Sequence, residues 1–297
     1  MKAIQINNIC LNYGEVSALK DISFEVERGE MFGLIGADGA GKTTLFRILT
    51  TLILADSGVA MVDGFNVVGD YKKIRNRVGY MPGRFSLYQD LTVEENLSFF
   101  ATVFGTTIKE NYHLIKDIYQ QIEPFKNRRA GQLSGGMKQK LALSCALIHK
   151  PSALFLDEPT TGVDPVSRKE FWEMLKKLKQ QGITILVSTP YMDEATMCDR
   201  IAFIKNGKIL SINTPEKIIA DFPHKIYAAE AENNYEILKQ LRQNSAVRSV
   251  FSFGDTLHVI LNEELYEDAQ NSCQFPIINY QFKEIQPTIE DCFMALS

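Results

Sequence analysis

The sequence has no disulfide framework. Its five cysteines (Cys10, Cys145, Cys198, Cys273 and Cys292) are scattered, with no CxxC pair and no metal-ligand spacing. That pattern fits reduced thiols and argues against a secreted, cross-linked domain. A basic surplus is also missing: 32 Lys and Arg stand against 36 Asp and Glu, a net charge of −4. Nucleic-acid binders usually show the opposite balance, so no nucleic-acid partner is expected. Long apolar runs are missing too. The longest uncharged apolar stretch, 96–108, is shorter and more polar than the roughly 20 residues a membrane span needs. The N-terminal MKAIQINNIC has no signal-peptide core. The chain is expected to be soluble, so work at a membrane calls for spans from another chain. What is present is ordinary globular composition, 45% hydrophobic and 23% charged over 297 residues. That length suits one large or two smaller domains.

Periodicity gives the organisation. Ile4 to Tyr13, Ile22 to Val26 and the unbroken apolar run Met31 to Ile35 predict strands, the last one buried. Lys42 to Thr51 predicts a helix with Leu45, Ile48 and Leu49 on one face. From about 84 to 150 the pattern is helical. Thr92 with Glu95 forms a capping box, and further helices are expected over 108–122 and from Ser134 to before Pro151. Leu154 to Leu156 and Ile183 to Ser188 predict buried strands. Between them lies a helix opened by Asp164-Pro165. Ile201 to Ile204 and Lys208 to Ile212 pair across Asn206-Gly207, a strong hairpin signal. Near Asp221-Phe222-Pro223 the character changes. Beyond it the order is strand (225–231), helix (234–243), strand (247–253), strand (257–261), helix (263–271), strand (277–285) and a last helix. That order matches a split βαβ unit. The expected domains are therefore 1–221 and 222–297.

Two motifs carry phosphate chemistry. Gly36-Ala37-Asp38-Gly39-Ala40-Gly41-Lys42-Thr43 satisfies GxxxxGK[ST] between a buried strand and a helix, the context that motif requires. Its glycines let backbone N–H groups turn inward around phosphates, and the helix N-terminus adds positive partial charge. Lys42 is expected to reach the β- and γ-phosphates, Thr43 to ligate Mg²⁺, and Thr44 to complete the cradle. Leu154-Phe155-Leu156 ends in Asp157-Glu158. Two acids at the end of a buried strand are costly unless a cation is near. Asp157 is expected to hold Mg²⁺, and Glu158 to polarise an attacking water.

With Leu133-Ser134-Gly135-Gly136-Met137-Lys138-Gln139 these residues resemble an ABC-type ATPase over about 1–221. The resemblance implies an α/β fold: a P-loop NTPase ABC cassette with a RecA-like core, an antiparallel β subdomain and a helical subdomain at about 84–150. A small C-terminal α+β ferredoxin-like domain, regulatory or dimerising, is expected after it. It implies that Ser134, Gly135 and Gly136 grip the ATP of an opposite subunit. Thr161-Gly162-Val163-Asp164 is similar to the D-loop that crosses such an interface, and Tyr13 sits where the family stacks adenine. Pro287-Thr288-Ile289-Glu290-Asp291-Cys292-Phe293 resembles the ending of ATPases serving ABC-2-type exporters. The cofactors implied are ATP and Mg²⁺. The partners implied are a second cassette and ABC-2-type transmembrane subunits, with the chain peripheral on the inner face of the cell membrane.

Two positions depart from the family. Gly83 stands where a glutamine contacts Mg²⁺ and water, and Pro190 stands where a histidine donates to the γ-phosphate. Proline offers neither a side-chain donor nor an N–H. Losing one preorganised donor costs ~10²–10³ in rate. The expectation is a chain that binds Mg²⁺–ATP, hydrolyses it slowly, and completes the site of a hydrolysis-competent partner. A slow homodimer stays open, as does a soluble ABC ATPase or ATP sensor uncoupled from transport. The transported cargo is not legible, because membrane subunits touch it.

Overall fold

Three short runs make the centre of the structure, a computed structural model. Met31–Ile35 (β3) is buried at all five positions, as are Ala153–Asp157 (β7) and Thr184–Thr189 (β8) throughout. Strands apolar on both faces belong inside a parallel sheet, and β3 and β7 each pair with β8 in parallel register. Val78–Met81 (β6) extends the sheet beside β7, and Arg200–Lys205 (β9) extends it beside β3. Lys208–Asn213 (β10) closes that edge as the antiparallel arm of a hairpin. The turn is Asn206-Gly207, both at positive φ (50° and 76°), the geometry expected of that dipeptide.

A second, antiparallel sheet has the order β2-β1-β4-β5. It comprises Lys2–Tyr13 (β1), Val16–Glu27 (β2), Ser57–Val62 (β4) and Phe65–Asn66 (β5). Lys42–Leu49 (α1) lies in one shared apolar core with both sheets. Phe46 meets Phe155 edge-to-face at 6.1 Å, and Phe24 stacks on Phe32 at 5.1 Å. The strands β4, β5 and β6 and the short helix Tyr71–Arg75 (α2) were not among the expected elements. β4 buries only two of six residues, so it shows little alternation. The stretch 92–147 is helical as expected: Val93–Val103 (α3), Ile108–Tyr119 (α4) and Gly135–Leu147 (α5). Capping boxes at Thr92/Glu95 and Thr107/Glu110 start the first two. Such caps stabilise by ~1 kcal/mol each. Pro165–Gln180 (α6) starts at the Asp164 cap and its proline.

The structure describes residues 2–230, 234–262 and 282–296. They form two compact units, 1–215 and 216–297. The division falls ahead of the expected 222 because Pro215–Ala220 (α7) joins the second unit, where the Ile218 carbonyl accepts from the Cys292 thiol. That unit holds Ile226–Glu230 (β11), Asn234–Gln243 (α8), Val247–Phe253 (β12), Thr256–Leu261 (β13), Phe282–Ile285 (β14) and Ile289–Ala295 (α9). Its strands are antiparallel, in the order β12-β13-β11-β14. Ile237 and Leu241 of α8 share a core with Val250, Leu257 and Val259. The helix expected over 263–271, Cys273, and the strand before 282 lie outside the described residues. No helix among the described residues is long and apolar enough to cross a membrane.

Candidate active site

The phosphate loop is shaped by close backbone approach. A Cβ on Gly36 would lie 2.2 Å from the Ile204 carbonyl oxygen. Gly41 has φ 108°, and a Cβ there would lie 2.7 Å from the Ala18 carbonyl oxygen. No other residue fits either place without moving the main chain. The hairpin turn between β9 and β10 locks the loop from behind: Gly207 N–H donates to Ala40 O (3.1 Å), and Lys20 N–H donates to Gly207 O (2.7 Å).

Lys42 is 3% exposed and has its ammonium fully engaged. Its Nζ donates to Gly36 O at 2.7 Å and Ala37 O at 3.0 Å, and pairs with Glu158 Oε1 at 3.0 Å. Asp38 is a distant, exposed neighbour at 3.9 Å. The cavity in front of the loop measures about 570 Å³, within the ordinary range for a nucleotide-sized ligand. Gly39, Gly41, Lys42, Thr43, Thr44 and Glu158 line it, and so does Tyr13. Tyr13 is half exposed. Val16, Ser17, Ala18, Lys20, Asn206 and Gly207 complete the wall. None of these six was among the expected site residues, because β2 and the hairpin reach the loop only through tertiary folding.

Asp157 ends β7 at 1% exposure. Its Oδ1 accepts from Ser188 Oγ at 2.7 Å; its Oδ2 makes no hydrogen bond among the described residues. A carboxylate oxygen left open this way fits a divalent cation. No group of three or more His, Cys, Asp or Glu side chains among the described residues could hold a metal. Thr43 and Asp157 are the residues that would hold a Mg²⁺ here, with water as the usual remaining ligand. Next door, Glu158 has φ 49°, a left-handed conformation that costs a non-glycine residue roughly 1–3 kcal/mol. Its N–H donates to both the carbonyl and the hydroxyl of Ser188, each at 3.0 Å.

Gly83 borders these acids, and Pro190 follows the strand that pairs with theirs. A Cβ on Gly83 would lie 3.1 Å from Asp157 O and 3.7 Å from Glu158 Cβ, so this position borders the acidic pair and presents no functional group to it. Pro190 follows Thr189 at the end of β8. Thr189 Oγ1 donates to Glu194 at 2.5 Å and accepts from Tyr191 N–H at 3.0 Å. Arg168 pairs with Glu194 at 3.0 Å and lies 4.2 Å from the Tyr191 ring centroid. The loop is anchored on both sides of a residue that cannot donate.

Ser134, Gly135 and Gly136 lie outside this cavity. Ser134 caps α5, accepting from Met137 N–H at 3.4 Å, and Ser134 and Gly135 are exposed. A Cβ on Gly136 would lie 2.7 Å from Ser167 Oγ of α6. Gln139 is buried and its amide donates to the Pro159 carbonyl, one residue past Glu158. A separate cavity of about 500 Å³ opens beside Pro82 and Leu87, walled by Phe100, Val103 and Phe104.

Residues 19–161 match the family described as ABC transporter. A protein of Burkholderia lata named Nod factor export ATP-binding protein I is 38% identical over 219 residues, covering 73% of this chain and 72% of its own. The chain belongs to this family, the ATP-binding cassettes of ABC transporters. It is also 40% identical over 219 residues to an Escherichia coli (strain K12) protein named "Probable multidrug ABC transporter ATP-binding protein YbhF", covering 73% of this chain. The match spans only 38% of that relative's length. The linearmycin resistance ATP-binding protein LnrL of Bacillus subtilis (strain 168) is 36% identical, with 71% and 69% covered. Among solved structures, an ATP binding subunit of an ABC transporter superposes with a TM-score of 0.67 at 28% identity, covering 74% of this chain and 93% of that one. A dimeric cassette bound to ADP and Pi superposes at 0.64 with 26% identity, covering 71% and 98%.

Proposed function

We propose that this chain is the ATP-binding subunit of an ABC exporter, of the ABC-2 type, and that it works as one half of an asymmetric pair of cassettes. One observation carries the asymmetry. The chain presents an intact signature, Ser134-Gly135-Gly136, outside its own cavity, while Gly83 and Pro190 leave that cavity without two donors. Lys42 and the loop amides hold the β- and γ-phosphates. Thr43 and Asp157 hold Mg²⁺, which when bound neutralises developing charge on the phosphates. Glu158 accepts a proton from the attacking water, with nothing from position 190 to orient it. Thr161 to Asp164 lie at the interface with the second cassette, whose nucleotide rests on Ser134 to Gly136.

The relatives named for multidrug and Nod factor export and for linearmycin resistance support an outward direction. The apolar cavity beside Pro82 suits a surface offered to a membrane subunit, which supports reading the chain as peripheral on the inner face of the membrane. The strand order β12-β13-β11-β14 supports reading the C-terminal unit as a split βαβ, ferredoxin-like domain with a regulatory or dimerising role.

The test is reconstitution. The purified chain should bind Mg²⁺–ATP yet turn it over slowly. Adding a second cassette that keeps its histidine should raise turnover, and Ser134→Arg in this chain should abolish the increase. Turnover at the partner's rate by this chain alone, lost in Glu158→Gln, would overturn the asymmetric reading in favour of a homodimer.

A further inference from the structure

Ser188 is the side chain that ties the two acids of the site together. It is fully buried on β8, and neither the phosphate loop nor the signature includes it. Its hydroxyl proton is committed to Asp157 Oδ1 at 2.7 Å. Its oxygen meanwhile accepts from the Glu158 N–H at 3.0 Å. A hydroxyl has one proton and two lone pairs, so this arrangement has a single sense: it gives to the carboxylate and takes from the amide.

Two consequences follow. Satisfying Oδ1 fixes the Asp157 carboxylate plane and leaves Oδ2 open, which is the oxygen a cation would take. Accepting from the Glu158 amide holds that residue in its left-handed backbone conformation (φ 49°). Glu158 Oε1 then stands 3.0 Å from the Lys42 ammonium. A strained backbone persists only where neighbours over-determine it, and Ser188 supplies both its hydroxyl and its carbonyl to that one N–H. Gly83 offers no side chain to this pair, and Pro190 offers no donor.

We infer that Ser188 is a positioning residue for the metal-binding and water-polarising carboxylates, setting Asp157 for Mg²⁺ and Glu158 for water. This inference rests on the reading of Asp157 as the Mg²⁺ residue. Outer-shell hydrogen bonds of this kind are worth about 10–100-fold in metal affinity.

The experiment uses the full chain and a fluorescent ATP analogue, titrated in EDTA, in Mg²⁺ and in Mn²⁺, with the Mn²⁺ complex also followed by EPR. Ser188→Ala should bind the metal-free analogue within twofold of the unaltered chain and lose at least about tenfold of the metal-dependent gain. Ser188→Thr keeps the hydroxyl and should recover most of it. Should Ser188→Ala fold poorly, Ser188→Cys, which keeps the volume with a weak donor, gives the same comparison. Equal affinity with metal in Ser188→Ala, or an equal loss with and without metal, would overturn the role. A different failure marks the underlying reading: if Asp157→Asn keeps the full metal-dependent gain, Asp157 is not the Mg²⁺ residue and the inference falls with it.

Discussion

Gly41 shows how little freedom single residues have here. Its φ of 108° and the 2.7 Å approach of Ala18 O leave no place for a methyl group. Gly41→Ala should lower nucleotide affinity at least tenfold and stability by ~1–3 kcal/mol, measured by ligand titration and urea unfolding. Gly39→Ala, at φ 78° with open space around it, should cost about 1 kcal/mol and leave most of the binding. Equal effects at the two positions would mean that backbone strain, not contact with β2, sets the requirement. These loop residues were legible in the sequence because the cradle is one contiguous segment. Tyr13 was legible through the family resemblance. Lys20 and Ser188 were not, because their partners lie far away in the chain, from Glu158 and Asp157 for Ser188 to Gly207 for the Lys20 N–H.

At the level of elements, α5 ties the helical region to the central sheet and to α6. Gln139 ties it to Pro159, Lys140 pairs with Glu170 of α6 at 2.8 Å, and the next turns pack on the central sheet. Its far end meets β6 through His149. That ring stacks on Phe104 at 3.8 Å, and Nε2 donates to Val78 O at 3.1 Å. Burial pushes its pKa down to about 4 from an ordinary 6.5. The unfolded chain therefore takes up this proton before the folded one does. Stability from His149 is fully present above about pH 6.5 and is lost as pH falls toward 4. Urea midpoints between pH 7 and 5 should fall for the unaltered chain, with a shallower slope for His149→Phe. Identical slopes would show that other groups set the acid sensitivity. The capped helices and fully buried strands could be read from sequence because caps and apolar runs are local signals. β4, β5 and β6 could not. They are short or half-exposed, and their register comes from pairing with β1 and β7.

At the scale of the molecule, the chain carries two halves of nucleotide chemistry that do not meet. Part of its cradle and Glu158 line one cavity, and its signature lies outside it. On the proposed reading, a single chain so built does not close a complete site around one nucleotide, and function calls for a second cassette. The sequence showed both halves and both missing donors. It did not show that Gly83 borders Asp157 closely enough for a Cβ to crowd the carbonyl at 3.1 Å. It also did not show that Pro190 sits between anchored neighbours. Restoring the glutamine thus requires the backbone to yield by a few tenths of an ångström. Restoring the histidine requires only a side chain.

That contrast gives the most direct measurement: steady-state ATP hydrolysis by this chain and by Pro190→His, each paired with a second cassette whose own water-polarising glutamate is replaced by glutamine, at saturating Mg²⁺–ATP. One recovered donor should raise turnover by about 10²-fold or more while ATP affinity stays nearly constant, and adding Glu158→Gln should erase the gain. If the unaltered chain already hydrolyses as fast as Pro190→His, its cutting apparatus is not impaired and the asymmetric account is wrong.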